Sequence, residues 1–135
     1  MAKRLSNDQF QTLAAFHYAL RKLLRASENV AMDLGLTPQH HQALLALRGA
    51  PDRMPCTIGD LVELLQIKHH STVGLVNRLA HHGYVVREQG KEDRRNVFVK
   101  LTKEGSSVLD RMGAAHHYEL QFITPELMNL LSEPE

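Results

Sequence analysis

The stretch Asp93-Arg94-Arg95-Asn96-Val97-Phe98-Val99-Lys100-Leu101-Thr102 restricts the folds open to this chain more than any other. It joins a charged tip, with acid and base two positions apart, to a strand and then to a threonine suited to capping a helix. A short strand over Val85 to Glu88 precedes it, so the pair predicts a β-hairpin whose loop carries the charge. Upstream, apolar spacing predicts helices over Gly59 to Leu65 and from His69 or Ser71 to His82. The intervening Gln66-Ile67-Lys68-His69 is long enough only to angle one helix against the other.

Helix, turn, helix and basic hairpin together spell a mainly α fold with a small β wing, the winged helix-turn-helix. In that architecture one helix enters the major groove of DNA, and the hairpin tip reaches the neighbouring backbone or minor groove. The second helix fits the part. Thr72, Leu75, Val76 and Leu79 fall on one face at helical spacing, while His70, Gly74, Asn77 and His81 occupy the opposite face, flanked by Val73 and Arg78. That outer face is polar and almost free of acid, and Gly83 is placed to end the helix.

The rest of the chain predicts further helices around this unit. Ser6 with Gln9 forms a capping box for a long helix over residues 6 to 34, whose stripe runs through Phe10, Leu13, Leu20, Leu23 or Leu24 and Val30 and stops at Gly35. Thr37-Pro38 opens the next helix, carrying His41, Leu44, Leu45 and Leu47. Met54 to Thr57 suits a short edge strand, and Thr57 with Asp60 caps the first reading helix. Thr102 caps a helix running through Val108, Leu109, Met112 and His116 to about Phe122, and Thr124-Pro125-Glu126 opens a short last one over Leu127 to Leu131. A first helix this long cannot bury its whole stripe within so small a domain, which points to packing on a second subunit. The expected organisation is a single domain over 1–135, with about 1–36 and 104–135 as dimerisation helices and about 37–103 as the DNA-binding lobe.

Charge supports the same division. Residues 53 to 103 carry nine Lys/Arg against five Asp/Glu, residues 1 to 52 six against four, and residues 104 to 135 one against six. A net +1 therefore conceals a basic middle suited to phosphates and an acidic end expected to face away from them. The lone cysteine, Cys56, excludes an internal disulfide and fits a reducing compartment. No apolar run is long enough to span a membrane, and Met1-Ala2-Lys3-Arg4-Leu5 lacks the apolar core of a signal peptide, so a cytoplasmic location is expected.

On these residues the chain resembles the MarR transcriptional regulators, dimeric bacterial winged-helix repressors that often respond to phenolic or other aromatic ligands. The matching stretches are Leu36-Thr37, Leu61 to Leu65, Leu75-Val76-Asn77-Arg78-Leu79 with Gly83, and Asp93-Arg94-Arg95 through Leu101-Thr102 with Gly105. The resemblance implies that Arg95 inserts at the wing tip, that Asp93 orients it through a charge-assisted hydrogen bond, and that Arg94 supports both at the backbone. It also implies DNA contact from His69, His70, Ser71, Val73, Gly74, Asn77 and Arg78. A ligand pocket would draw on His17, Tyr18, Arg21, His41 and His116. Gly74 stands where the family often has a larger or polar side chain, which implies thinner base readout, and the last helix is shorter than usual, which implies a reduced dimer interface or a truncated chain.

Other readings of the same residues remain open. Nine histidines, paired at 40/41, 69/70, 81/82 and 116/117, suggest a metal-responsive regulator, but adjacent histidines on a helix point about 100° apart and only the loose set Glu28, His41 and His116 can be assembled. No metal or other cofactor is expected. Cys56 lies outside the first helix, where a redox-sensing branch of the family keeps its cysteine, and reads as a structural thiol. A winged-helix interaction module without DNA binding is the alternative of another class, opposed by Arg78, Asp93, Arg94 and Arg95. Nothing pairs a nucleophile with an oriented base and no glycine-rich phosphate loop is present, so an enzyme is not expected.

Overall fold

The computed structural model describes residues 4–50 and 56–113, together with positions 116, 117, 120, 121, 125, 128 and 129. It divides into two compact units, Ala31–Met112 on one hand and Met1–Val30 with Gly113–Glu135 on the other.

Helix α1 spans Asn7–Asp33. Its start is the capping box expected from the sequence: the Ser6 hydroxyl accepts from the Gln9 N–H at 3.1 Å and the Gln9 side-chain oxygen accepts from the Ser6 N–H at 2.9 Å. Its end is set by Gly35, whose φ of 76° only glycine adopts without strain, and the Leu36 N–H folds back onto the Ala31 carbonyl at 2.9 Å. Ala19 and Ser27 are buried, whereas Phe10, Leu13, Tyr18 and Leu24 stay exposed.

Within Ala31–Met112, α2 (Pro38–Gly49), α3 (Ile58–Leu65), α4 (His69–His81) and α5 (Lys103–Arg111) surround a small antiparallel sheet. Its strands, β1 (Cys56–Thr57), β2 (Val85–Gln89) and β3 (Val97–Leu101), lie in the order β1-β3-β2. Helices α2, α3 and α5 start where the sequence places a cap. Thr57 and Asp60 exchange hydrogen bonds at 3.0 and 2.9 Å, and the Thr102 hydroxyl accepts the Gly105 N–H at 3.1 Å. Thr37 finds an unexpected partner: its N–H donates to Nδ1 of His40 at 3.4 Å, so an imidazole completes a box usually closed by Glu or Gln.

The core is built by Leu44, Leu61, Leu75, Val76, Leu79, Val85 and Met112, each at most 1% exposed. Burying one such side chain is worth about 1.5–3 kcal/mol, so these contacts hold α4 and β2 in place against α2 and α3. The unit runs past the wing to Met112 and so takes in α5, where Arg48 of α2 pairs with Asp110 at 2.7 Å. Of the expected continuation to Phe122 and the short helix over Leu127 to Leu131, positions 114, 115, 118, 119, 122, 127, 130 and 131 lie outside the described residues, as do Met54 and Pro55 of the edge strand. No helix among the described residues is long and apolar enough to cross a membrane.

Candidate nucleic-acid interface

Helix α4 buries Thr72, Leu75, Val76 and Leu79 and leaves His69, His70, Ser71, Asn77 and Arg78 exposed, with Val73 and Gly74 half-buried between them. The 3.6-residue period legible in the sequence therefore fixes which face is free. At the N-terminus of α4 the capping residue, Lys68, makes no side-chain hydrogen bond, so no side chain occupies the first-turn N–H groups. They point outward beside Lys68, His69 and His70, an arrangement receptive to an anion. The preceding turn is closed by Gln66 in the left-handed conformation, φ 55°, which sets the angle between α3 and α4.

The wing is a two-stranded ribbon in the register Val85↔Leu101, Arg87↔Val99 and Gln89↔Val97. Val85 and Val99 are buried, which fixes the register, because a one-residue slip would turn both outward. Lys100 pairs with Glu88 at 2.9 Å on the exposed face. At the tip, Gly90 donates to the Asn96 carbonyl at 2.8 Å, and a Cβ at Gly90 would stand 2.4 Å from the Asp93 carbonyl oxygen; only glycine allows the chain to close there.

Asp93 and Arg95 meet, as the family resemblance implies. The Arg95 guanidinium donates to both carboxylate oxygens at 3.2 Å, and the Arg95 N–H donates to the same carboxylate at 3.0 Å. These bonds, the side-chain ones first, hold the Asp93 carboxyl below the usual carboxylate range, so it is ionised wherever the protein is folded near neutrality. The Arg95 side chain is 91% exposed, so the pair presents the guanidinium outward. Arg94 is exposed as well, and its carbonyl accepts from the Gln89 side chain at 2.8 Å.

Between the reading helix and the wing lies a groove of about 350 Å³ lined by the start of α3 (Thr57, Ile58, Gly59), by His69, Val73 and Asn77 of α4, and by Arg87, Arg95, Asn96 and Val97 of the wing. It brings four of the residues singled out from the sequence, His69, Val73, Asn77 and Arg95, to one concavity. It also adds Arg87, which the sequence reading passed over. Arg87 donates from Nη1 to the side-chain Oδ1 of Asn77, tying strand to helix. Its place in β2 two residues after buried Val85 was the available signal, since alternation puts both on the helix-facing side of the ribbon.

The five pocket candidates are placed differently. His17, Tyr18 and Arg21 are exposed on α1, where Tyr18 lies 5.4 Å from the Lys22 ammonium and His17 packs edge-on to Phe16. His116 is half-buried in the same compact unit, whereas His41 is fully buried in α2 of the other. His40 is buried beside it, stacked edge-on to His82, which in turn lies flat on Tyr84. Among the described residues no three metal-ligating side chains converge. Cys56 is buried, and burial, with Asp60 adding to it, pushes its thiol up from the ordinary range.

Reading helix, wing and groove define a winged helix-turn-helix protein. A model of the MarR family matches residues 34–96. A helix-turn-helix transcriptional regulator of Bacillus subtilis, YwhA, itself uncharacterised, is 26% identical over 97 residues, 70% of this chain and 68% of that one. Two further helix-turn-helix or transcriptional relatives are matched over 46% and 42% of their own length. Among solved structures, the MarR family regulator AbsC of Streptomyces coelicolor superposes with a TM-score of 0.77 at 19% identity, over 93% of this chain and 84% of that one. Sco3205, a MarR family regulator from the same organism solved in complex with DNA, gives 0.76 at 24%, over 96% and 85%. Just under half of the chain is thus similar to the MarR family of transcriptional regulators, and its fold is that of the solved MarR regulators.

Proposed function

We propose that this chain is a sequence-specific DNA-binding regulator that acts as a homodimer on a pseudo-palindromic operator, in the cytoplasm, and represses transcription until a small aromatic ligand releases it. One observation carries the DNA reading: the exposed face of α4 and the outward guanidinium of Arg95 border one groove, and the groove is lined by Arg87 and Arg95 without a carboxylate among its lining residues. His69, His70, Ser71, Val73, Gly74, Asn77 and Arg78 then face the major groove, while Asp93 holds Arg95, with Arg94 beside it, toward the neighbouring backbone or minor groove. The uncapped N-terminus of α4 offers backbone N–H groups to a phosphate.

Support for the dimer comes from α1, on which Phe10, Leu13 and Leu24 are each more than two-fifths exposed in the single chain, at spacing that makes an apolar stripe. Residues 1–36 and 104–135 would form that interface and 37–103 the reading lobe. His17, Tyr18, Arg21, His41 and His116 are the proposed ligand-responsive residues, and ligand binding would change the spacing of the reading lobes of the two subunits. Sedimentation of the chain alone and with a duplex carrying its operator tests the assembly. Two chains per duplex is the expected result; a monomer bound to a single half-site would overturn the dimer.

A further inference from the structure

The contact between Arg87 and Asn77 has a chemical consequence for base readout. A guanidinium has five donors and no acceptor, so the amide atom facing it must be oxygen. The β2–β3 register holds Arg87 there, since it shares the inner side of the ribbon with buried Val85 and pairs across to buried Val99. Among the described residues no carboxylate lies within ion-pair reach of Arg87, so nothing competes with Asn77 for the guanidinium. The carboxamide of an exposed Asn77 is thereby oriented, with its oxygen engaged and its NH2 left over.

Asparagine usually reads adenine by accepting from N6 and donating to N7 at once. That pairing needs the oxygen free. Here the second lone pair of the oxygen would receive the adenine amino group beside a full positive charge, which opposes the approach. Guanine offers acceptors at both O6 and N7, and thymine offers O4, so either accepts the free NH2 without a donor of its own on the same edge. Resting on the DNA-binding reading above, we infer that Arg87 is a positioning residue that makes Asn77 a donor-only probe, selecting guanine or thymine and rejecting adenine at one position of each half-site.

The test is selection of binding sites from a random duplex library by the full-length chain, followed by affinities for each base at every selected position. Asn77→Ala identifies the base pair that Asn77 reads, as the position whose preference disappears. At that position the parent should favour guanine or thymine over adenine by about tenfold. Arg87→Ala should shift that one preference toward adenine and leave the other positions alone. Arg87→Met, which keeps the aliphatic stem and lacks donors, should do the same if the alanine variant folds poorly, as checked by thermal melting. Asn77→Asp keeps the Arg87 partner but removes the NH2, and should lose the guanine or thymine preference. Adenine at that position in the parent, or a uniform loss of affinity across all positions in both Arg87 variants, would overturn the inference while leaving DNA binding intact. Absence of any selected sequence would overturn both.

Discussion

Replacing Gly105 with alanine tests whether the reading lobe is joined as described. Gly105 lies in the first turn of α5, and a Cβ there would sit 2.2 Å from the Tyr84 carbonyl oxygen and 2.8 Å from Cδ1 of Leu101. Relief requires a movement of about 1 Å at a joint where the Thr102 N–H donates to that same Tyr84 oxygen at 3.0 Å and the Thr102 hydroxyl donates to the Gly83 carbonyl at 2.6 Å. Two weakened hydrogen bonds cost about 1–3 kcal/mol and overpacking about 1–3 more, offset by about 1 kcal/mol from the better helix propensity of alanine. The net is a loss of about 1–5 kcal/mol, or roughly 4–18 °C in Tm for a chain of this size. Gly74→Ala supplies the opposite sign. A Cβ at Gly74 meets only Nη1 of Arg78, at 3.9 Å, so the same propensity gain of up to about 1 kcal/mol is not offset. Calorimetric or fluorescence melting of both variants at one pH reads the difference. Equal Tm for Gly105→Ala and the parent would refute the packing of α5 against the α4–β2 turn.

Arg95→Ala should weaken specific DNA binding by about 1–3 kcal/mol, seen in anisotropy titrations, and leave Tm unchanged because the side chain lies in solvent; equal affinity of variant and parent would remove the wing from the interface. The Cys56 thiol, buried and raised in pKa, should resist iodoacetamide in the folded protein and react once denaturant unfolds it. His40 is held below its ordinary pKa by burial first, then by Arg78 and His82, so the unfolded chain binds the proton more readily. Its effect is therefore a stability present above about pH 6.5 and lost as pH falls below it. Melting at pH 7.5 and 5.5 should show a smaller drop for His40→Gln than for the parent, and an unchanged drop would assign the pH dependence elsewhere.

The parts of this molecule readable from sequence are those governed by neighbours three or four residues away. The boxes at Ser6/Gln9 and Thr57/Asp60, the cap at Thr102, the left-handed stop at Gly35 and the Asp93–Arg95 pair all use side chains within one turn of each other. The outer face of α4 was equally legible, because its inner face repeats at helical spacing. What lay hidden depends on tertiary approach. His40 closes a box through an imidazole, which the usual Ser/Thr-x-x-Glu/Gln pattern does not contain. Arg87 reaches Asn77 across two elements; alternation from Val85 gives the side of the ribbon it occupies, but not the partner on α4. Gly105 and Gly74 are alike as letters, and only the distance from Tyr84 separates an obligatory glycine from a replaceable one.

Fluorescence anisotropy of the purified chain against the DNA upstream of its own coding sequence, with a scrambled duplex of equal length and at two salt concentrations, bears on the whole reading at once. The groove between α4 and the wing calls for binding to the native fragment well above the scrambled one, weakening steeply as salt rises. Weak binding, equal on both duplexes at both salt concentrations, would contradict specific DNA recognition at that site.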